Sequence, residues 1–162
     1  MKDKYSAVIM EYLSKCYACK VDDEENQTNV KWYLCHHPVF HPQKSDKVGV
    51  VFDYAARFRG KSLNDELLQG PDITNSLVGV LIQFRKERVA IVSGIEAMFH
   101  QVRVDPKGPR RPIRFVWWPD GDMSQSPIDF RMLVHVFGAT SSPSCPCFCL
   151  IQAAEDSRDG ET

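Results

Sequence analysis

No stretch of this chain is apolar for the length needed to span a bilayer, and the amphipathic pattern that follows Met1-Lys2-Asp3-Lys4-Tyr5 does not read as a signal peptide. The expected setting is intracellular, cytoplasm or nucleus, where the six cysteines stay reduced. A dominant charge is also missing. Twenty basic against 21 acidic side chains leave a formal net charge of −1, which excludes a globally basic nucleic-acid binder while leaving room for local patches. Internal repeats and low-complexity tracts are lacking too. What remains is 162 residues, 43% hydrophobic and 25% charged, enough for one domain with a sizeable core.

The charges are unevenly placed. Asp22-Asp23-Glu24-Glu25 is an acidic run, whereas Arg103 to Arg114 holds five basic residues against one acid, Asp105. Tyr5, Val8, Ile9, Tyr12 and Leu13 follow helical spacing, which predicts a first helix ending in the loop around Asp22 to Thr28. Val30 to Leu34 and Val48 to Asp53 read as strands. A loop punctuated by Ser62-Leu63-Asn64-Asp65 and Gln69-Gly70-Pro71 leads to a second helix, with Ile73, Leu77, Val80, Leu81 and Phe84 on one face. The cations Arg85, Lys86 and Arg88 suit its C-terminus. Val89 to Val92 is predicted as a short buried strand delivering Gly94 to the surface. Ile113 to Trp118 and Phe130 to Phe137 are predicted to pair antiparallel, and Ser142-Pro143 to start a last helix, serine capping and proline first. This order of elements predicts an α+β fold.

Three blocks of residues carry a family likeness. The first is Trp32-Tyr33-Leu34-Cys35-His36-His37-Pro38-Val39 with Lys47-Val48-Gly49-Val50-Val51-Phe52-Asp53. The second is Ser62-Leu63-Asn64-Asp65-Glu66-Leu67-Leu68-Gln69-Gly70-Pro71. The third joins Val92-Ser93-Gly94-Ile95-Glu96-Ala97-Met98-Phe99-His100-Gln101-Val102-Arg103-Val104 to Phe137-Gly138-Ala139-Thr140-Ser141-Ser142-Pro143-Ser144, with Arg114 to Trp118 between. In order and spacing these blocks resemble the reverse transcriptases of Bel/Pao-type long-terminal-repeat retrotransposons, from about Tyr5 to about Ala154. The resemblance implies part of a right-hand polymerase: 1–72 fingers-like, 73–104 palm-like, 105–136 fingers-like and 137–162 palm-like.

In that family two Mg²⁺ ions held by aspartates bracket phosphoryl transfer to a primer hydroxyl. One aspartate belongs where this chain has Gly94, and two more belong to a later Tyr-x-Asp-Asp hairpin that this sequence does not contain. Glu96 is no substitute, because the family carries a glutamate there beside the aspartate. Gly49 stands where the family has an arginine that grips the incoming triphosphate through a bidentate fork. Cys35 stands where proline is common. Two features survive. Phe99 matches the aromatic that packs under the nucleotide sugar and excludes a 2′-hydroxyl, and Gly138 with Ser142 and Pro143 matches the loop that approaches the nascent base pair. The expectation is a retroelement-derived fragment, ancestrally a DNA polymerase on RNA or DNA templates, that is catalytically inactive and needs no cofactor as it stands.

Each of these residues has a plainer reading. Phe99 could be core, and Gly138 a turn glycine. Cys16-x-x-Cys19, Cys35-His36-His37 with His41, and Cys145-x-Cys147-x-Cys149 suggest zinc, but no second Cys-x-x-Cys pair completes a tetrahedral set. Reduced cysteines and strand histidines account for them, with a zinc-binding structural protein as the alternative. Trp117 and Trp118, adjacent on a strand, face opposite ways, so one belongs to the core.

Arg103, Lys107, Arg110 and Arg111 form either a solvated loop or a surface for a nucleic-acid backbone, RNA or DNA. Were the second reading right, a labelled single strand would bind without sequence preference. Its affinity would fall by roughly 0.7 of a log unit per log unit of salt for each phosphate neutralised. A flat salt response, or no binding at low ionic strength, removes that reading.

Overall fold

A computed structural model describes residues 2–22, 31–105 and 113–159. Among them the chain is α+β, as expected. Helices α1 (Lys2–Ser14), α2 (Leu77–Phe84) and α3 (Ser144–Asp159) accompany strands β1 (Ala18–Lys20), β2 (Cys35–His41), β3 (Lys44–Asp53), β4 (Arg114–Trp117) and β5 (Ile128–Met132). No helix of the described residues is long and apolar enough to cross a membrane.

Two antiparallel sheets form: a hairpin of β2 and β3, and a three-stranded sheet in the order β1-β5-β4. In the hairpin Val39 faces Gly49 and Cys35 faces Asp53, with an irregularity between Phe40 and His41. In the second sheet Phe115 faces Phe130 and Cys19 faces Arg131. The outer edge of β4 meets the chain just before β2. Leu34 N–H donates to the Arg114 carbonyl at 2.9 Å, and Arg114 N–H donates to Trp32 at 3.3 Å. Tyr33 thus makes a single bridge to Arg114; of the strand predicted over Val30 to Leu34, Val30 lies outside the described residues, and the others precede a strand that begins at Cys35.

The core lies between these sheets and under α1. Phe115, 0% exposed, stacks on Phe130 at 5.6 Å and meets the edges of Phe52 at 5.3 Å and His36 at 5.4 Å. Trp117 is buried and Trp118 half-buried, as their alternation requires. From α1, Ile9 is fully buried, and Tyr5 sets its ring 5.1 Å from Trp117. The Tyr5 hydroxyl donates to His36 Nδ1, and His36 Nε2–H donates to the Val116 carbonyl at 3.1 Å. One imidazole therefore ties helix, hairpin and second sheet together. Burial raises the Tyr5 phenol to about 12, with Tyr12 adding to the effect, so it remains a neutral donor.

Several expectations are corrected. Helix α1 ends at Ser14, well before Asp22. Cys16 turns left-handed at φ 54°, Tyr17 N–H returns to the Tyr12 carbonyl at 2.8 Å, and Cys16 N–H returns to Leu13 at 3.1 Å. This closing motif usually uses glycine, so its sequence signal is missing. Cys16 and Cys19 consequently share no helix face: Cys16 lies in the turn, and Cys19, on β1, accepts from Arg131 Nε at 3.2 Å. The pairing of β4 falls on Ile128–Met132, earlier than the predicted Phe130 to Phe137. Helix α2 begins at Leu77, not at Ile73, because the Asp72 carboxylate captures the Thr74 N–H at 3.0 Å and its hydroxyl at 2.6 Å. Finally, Val89 to Val92 is not a buried strand. Val89, Ile91 and Val92 are 77%, 86% and 80% exposed, and among the described residues no strand pairs with them. Without a neighbour to satisfy its backbone, an apolar run gains nothing from strand geometry.

Burial lowers the His36 pKa below its ordinary 6.5, partly opposed by the Val116 carbonyl, and burial also lowers His100, assisted by the Lys15 charge. The unfolded chain therefore binds more protons from pH 6.5 down to the folded values, and stability is full above 6.5 and lost as pH falls through that window. Urea midpoints measured at about pH 7.5 and 5.5 are expected to be lower at the acidic value. An unchanged or higher acidic midpoint would contradict the lowered pKa of these half-buried imidazoles.

Candidate functional site

The segment after β5 runs back along Val102 to Val104. His135 N–H donates to Val102 at 2.7 Å and Val104 N–H donates to Leu133 at 2.9 Å, which delivers Phe137 and Gly138 to a tight turn. Gly138 has φ +116°, and a Cβ there would stand 2.9 Å from the Phe52 carbonyl oxygen and 3.2 Å from the Tyr54 ring. Both facts demand glycine. The turn is fastened by Asn64, whose Nδ2 donates to the Gly138 carbonyl at 3.1 Å and whose Oδ1 accepts from Thr140 N–H at 2.9 Å.

Asn64 is held in a 3-10 turn over Asn64–Glu66. Ser62 N–H donates to the Asp65 carboxylate at 3.0 Å, Asp65 N–H returns to the Ser62 hydroxyl at 3.3 Å, and Asn64 N–H donates to Tyr54 at 3.1 Å. The reciprocal bonds with Ser62 hold the Asp65 carboxyl below its ordinary value. Asn64 is not among the site residues expected from the sequence. Its signal was the Ser62-x-x-Asp65 spacing, which fixes a turn and so aims the residue between.

Ser142 is buried, but its hydroxyl donates to the Val136 carbonyl at 2.9 Å and does not cap α3. The helix starts at Ser144, whose hydroxyl contacts the carbonyls of Gln69 at 3.1 Å and Pro71 at 2.9 Å. Pro143 is exposed in the turn just before it. Pro146 falls in the first turn of α3, where its missing N–H breaks no bond. Beside Gly138, the buried hydroxyls of Tyr54 and Thr140 have no hydrogen-bond partner among the described residues. Burial pushes the Tyr54 phenol well above its usual range.

Phe99 reaches the same place from another element. It lies in the 3-10 turn Met98–Gln101, entered through left-handed Ala97 at φ 49°, and its ring meets Phe137 edge-on at 5.5 Å. His100 anchors that turn to α1 by packing against Tyr12 at 5.1 Å and Tyr17 at 4.7 Å. So the structure brings Phe99, Gly138 and Ser142 into one neighbourhood, with Asn64 as their fastening. Arg103 is exposed and its backbone bridges Val134. Lys107, Arg110 and Arg111 lie outside the described residues.

Gly94 is exposed, and a Cβ there would meet nothing within 4 Å. The position therefore has room for a Cβ but offers no side-chain oxygen. Among the described residues no group of three or more His, Cys, Asp or Glu is placed to hold a metal ion. The Mg²⁺ implied by the family resemblance wants a near-octahedral oxygen shell, which these residues do not fit. Gly49 has similar freedom: its nearest neighbour across the hairpin is the Val39 carbonyl oxygen at 3.9 Å. Neither glycine is required by packing. Gly138 is.

Compared with protein-family models and with curated proteins, the chain matches none.

Gly138→Ala is expected to destabilise the chain by about 2 kcal/mol or more, from the left-handed backbone and the collision with Phe52. Asn64→Ala should cost about 1–3 kcal/mol, because it strands two backbone groups. Urea melts followed by tryptophan fluorescence report both, and wild-type midpoints for either variant would show that the turn is not fastened as described.

Proposed function

We propose that this chain is a retroelement-derived reverse-transcriptase fragment, fingers and early palm of a right-hand polymerase, that retains the nucleotide-side turn and lacks the catalytic cradle. The observation that carries the reading is the meeting of Phe99 with the Phe137-Gly138 turn. These residues are far apart in sequence, and the resemblance assigns both to one nucleotide site. Nothing in composition or periodicity requires them to touch. The surroundings of Gly94 and Gly49 support the second half of the proposal: a Cβ at Gly94 would meet nothing within 4 Å and one at Gly49 only the Val39 carbonyl oxygen at 3.9 Å, so close packing at Cβ does not account for glycine at either position.

Transition-state charge in phosphoryl transfer is carried almost entirely by metal ions and cationic side chains. With Gly94 in place of the aspartate and Gly49 in place of the arginine, the aromatic and glycine that remain can shape a pocket but supply no charge. The chain as it stands, an intracellular protein with an RNA or DNA ancestry, is proposed to be a pseudoenzyme.

Primer-extension assays on a primed template with deoxynucleotides and Mg²⁺ should show no incorporation. Gly94→Asp should leave stability within about 0.5 kcal/mol, since the site is open, and should still give no extension. Incorporation by the wild-type chain that disappears in Phe99→Ala would overturn the proposal.

A further inference from the structure

Helix α2 presents a physical problem. Its sequence, Leu77-Val78-Gly79-Val80-Leu81-Ile82-Gln83-Phe84, is nearly all apolar, yet none of its residues is buried. Isolated helices this short are marginal in water, and their stability ordinarily comes from packing an apolar face. Contiguous exposed apolar surface on this scale marks an interaction site.

Helix α3 has a smaller surface of the same kind. Phe148, Leu150 and Ile151 are exposed, although the helix base is held by Ser144 to the segment that leads into α2. The charged ends of the two helices differ in sign. Beyond Phe84 come Arg85, Lys86 and Arg88, with one acid, Glu87, whereas beyond Ile151 come Glu155, Asp156 and Asp159, with one base, Arg158. Arg88 lies four residues past Phe84, and Glu155 lies four past Ile151. A parallel alignment of the two helices places the apolar sections together and the opposite charges together. Within one chain the contact is not made, since both faces are exposed.

We propose that the covering partner is a second copy of this chain. The two form a two-fold dimer, with α2 of each protomer laid on α3 of its partner. Such an interface is isologous: one rotation covers both apolar faces and pairs both charged ends, so assembly closes at two and does not continue into a fibre. The basic and acidic ends set the alignment, and their contribution weakens as salt screens them. This inference does not rest on the ancestry proposed above.

The test is sedimentation velocity of the full chain under reducing conditions, over about 1–100 µM and at low salt, where the accessible dissociation constants lie. A reversible monomer–dimer equilibrium is expected. The double reversal Arg85→Glu with Arg88→Glu should weaken it about tenfold or more, two exposed pairs being lost and replaced by repulsion at each of the two symmetry-related contacts. Glu155→Lys with Asp156→Arg should do the same, and all four changes together should restore most of the wild-type affinity. The four positions are exposed, so thermal melts should confirm that every variant folds. A monomer throughout, open-ended association that grows with concentration, or a fourfold variant no tighter than the double variants would each overturn the proposal.

Discussion

The joining of the two sheets depends on the burial of one ring, Phe115. From the short strand β4 it stacks on Phe130 in its own sheet and touches Phe52 and His36 across in the hairpin. Neither sheet is large enough to be independent, because two- and three-stranded antiparallel pieces gain stability only when one face is covered. Phe115 makes each sheet the cover of the other. Side chains alternate along a strand, so a slip of one residue in β4 would replace Phe115 with Val116, which now faces solvent. The register of β4, the position of His36 and the seat of α1 above Trp117 are consequences of the same choice.

How legible this was in the sequence varies with how local the cause is. The face of α1 could be read from the spacing of Tyr5, Ile9 and Tyr12, and β3 from Val48 to Asp53, because each pattern is complete within its element. Strand β1 could not be read. Ala18, Cys19 and Lys20 become a strand only because Phe130 to Met132 present an edge, more than a hundred residues later. The end of α1 was hidden for a different reason: a cysteine occupies the left-handed position where glycine would have announced the stop. Val89 to Val92 misled in the opposite direction. An apolar run predicts burial only when something is there to bury it.

The candidate site shows the same division. Gly138 and Phe99 were visible through family resemblance, and the geometry gives each a reason independent of ancestry: a forbidden Cβ for one and an aromatic neighbour for the other. Asn64 was legible only indirectly: the Ser62-x-x-Asp65 spacing announces the turn that holds it, but not the partners that its amide finds more than seventy residues later. Ser142 was visible for the wrong role, as a helix cap, when its hydroxyl instead closes the turn onto Val136. Short polar side chains near a helix start have several backbone groups within reach, and spacing alone does not choose among them.

The Asn64 amide ends on two unlike atoms, and its neighbours tell them apart. The Gly138 carbonyl can only accept and the Thr140 N–H can only donate, so one orientation of the amide satisfies both. Exchange of that single nitrogen for oxygen, as hydrolysis of the amide would bring about, changes the shape of the side chain hardly at all. It would nevertheless set lone pair against lone pair where the Gly138 bond now is. The turn is therefore sensitive to chemical ageing at one atom: an old molecule and a fresh one, alike in fold and nearly alike in mass, would differ in whether this loop stays shut.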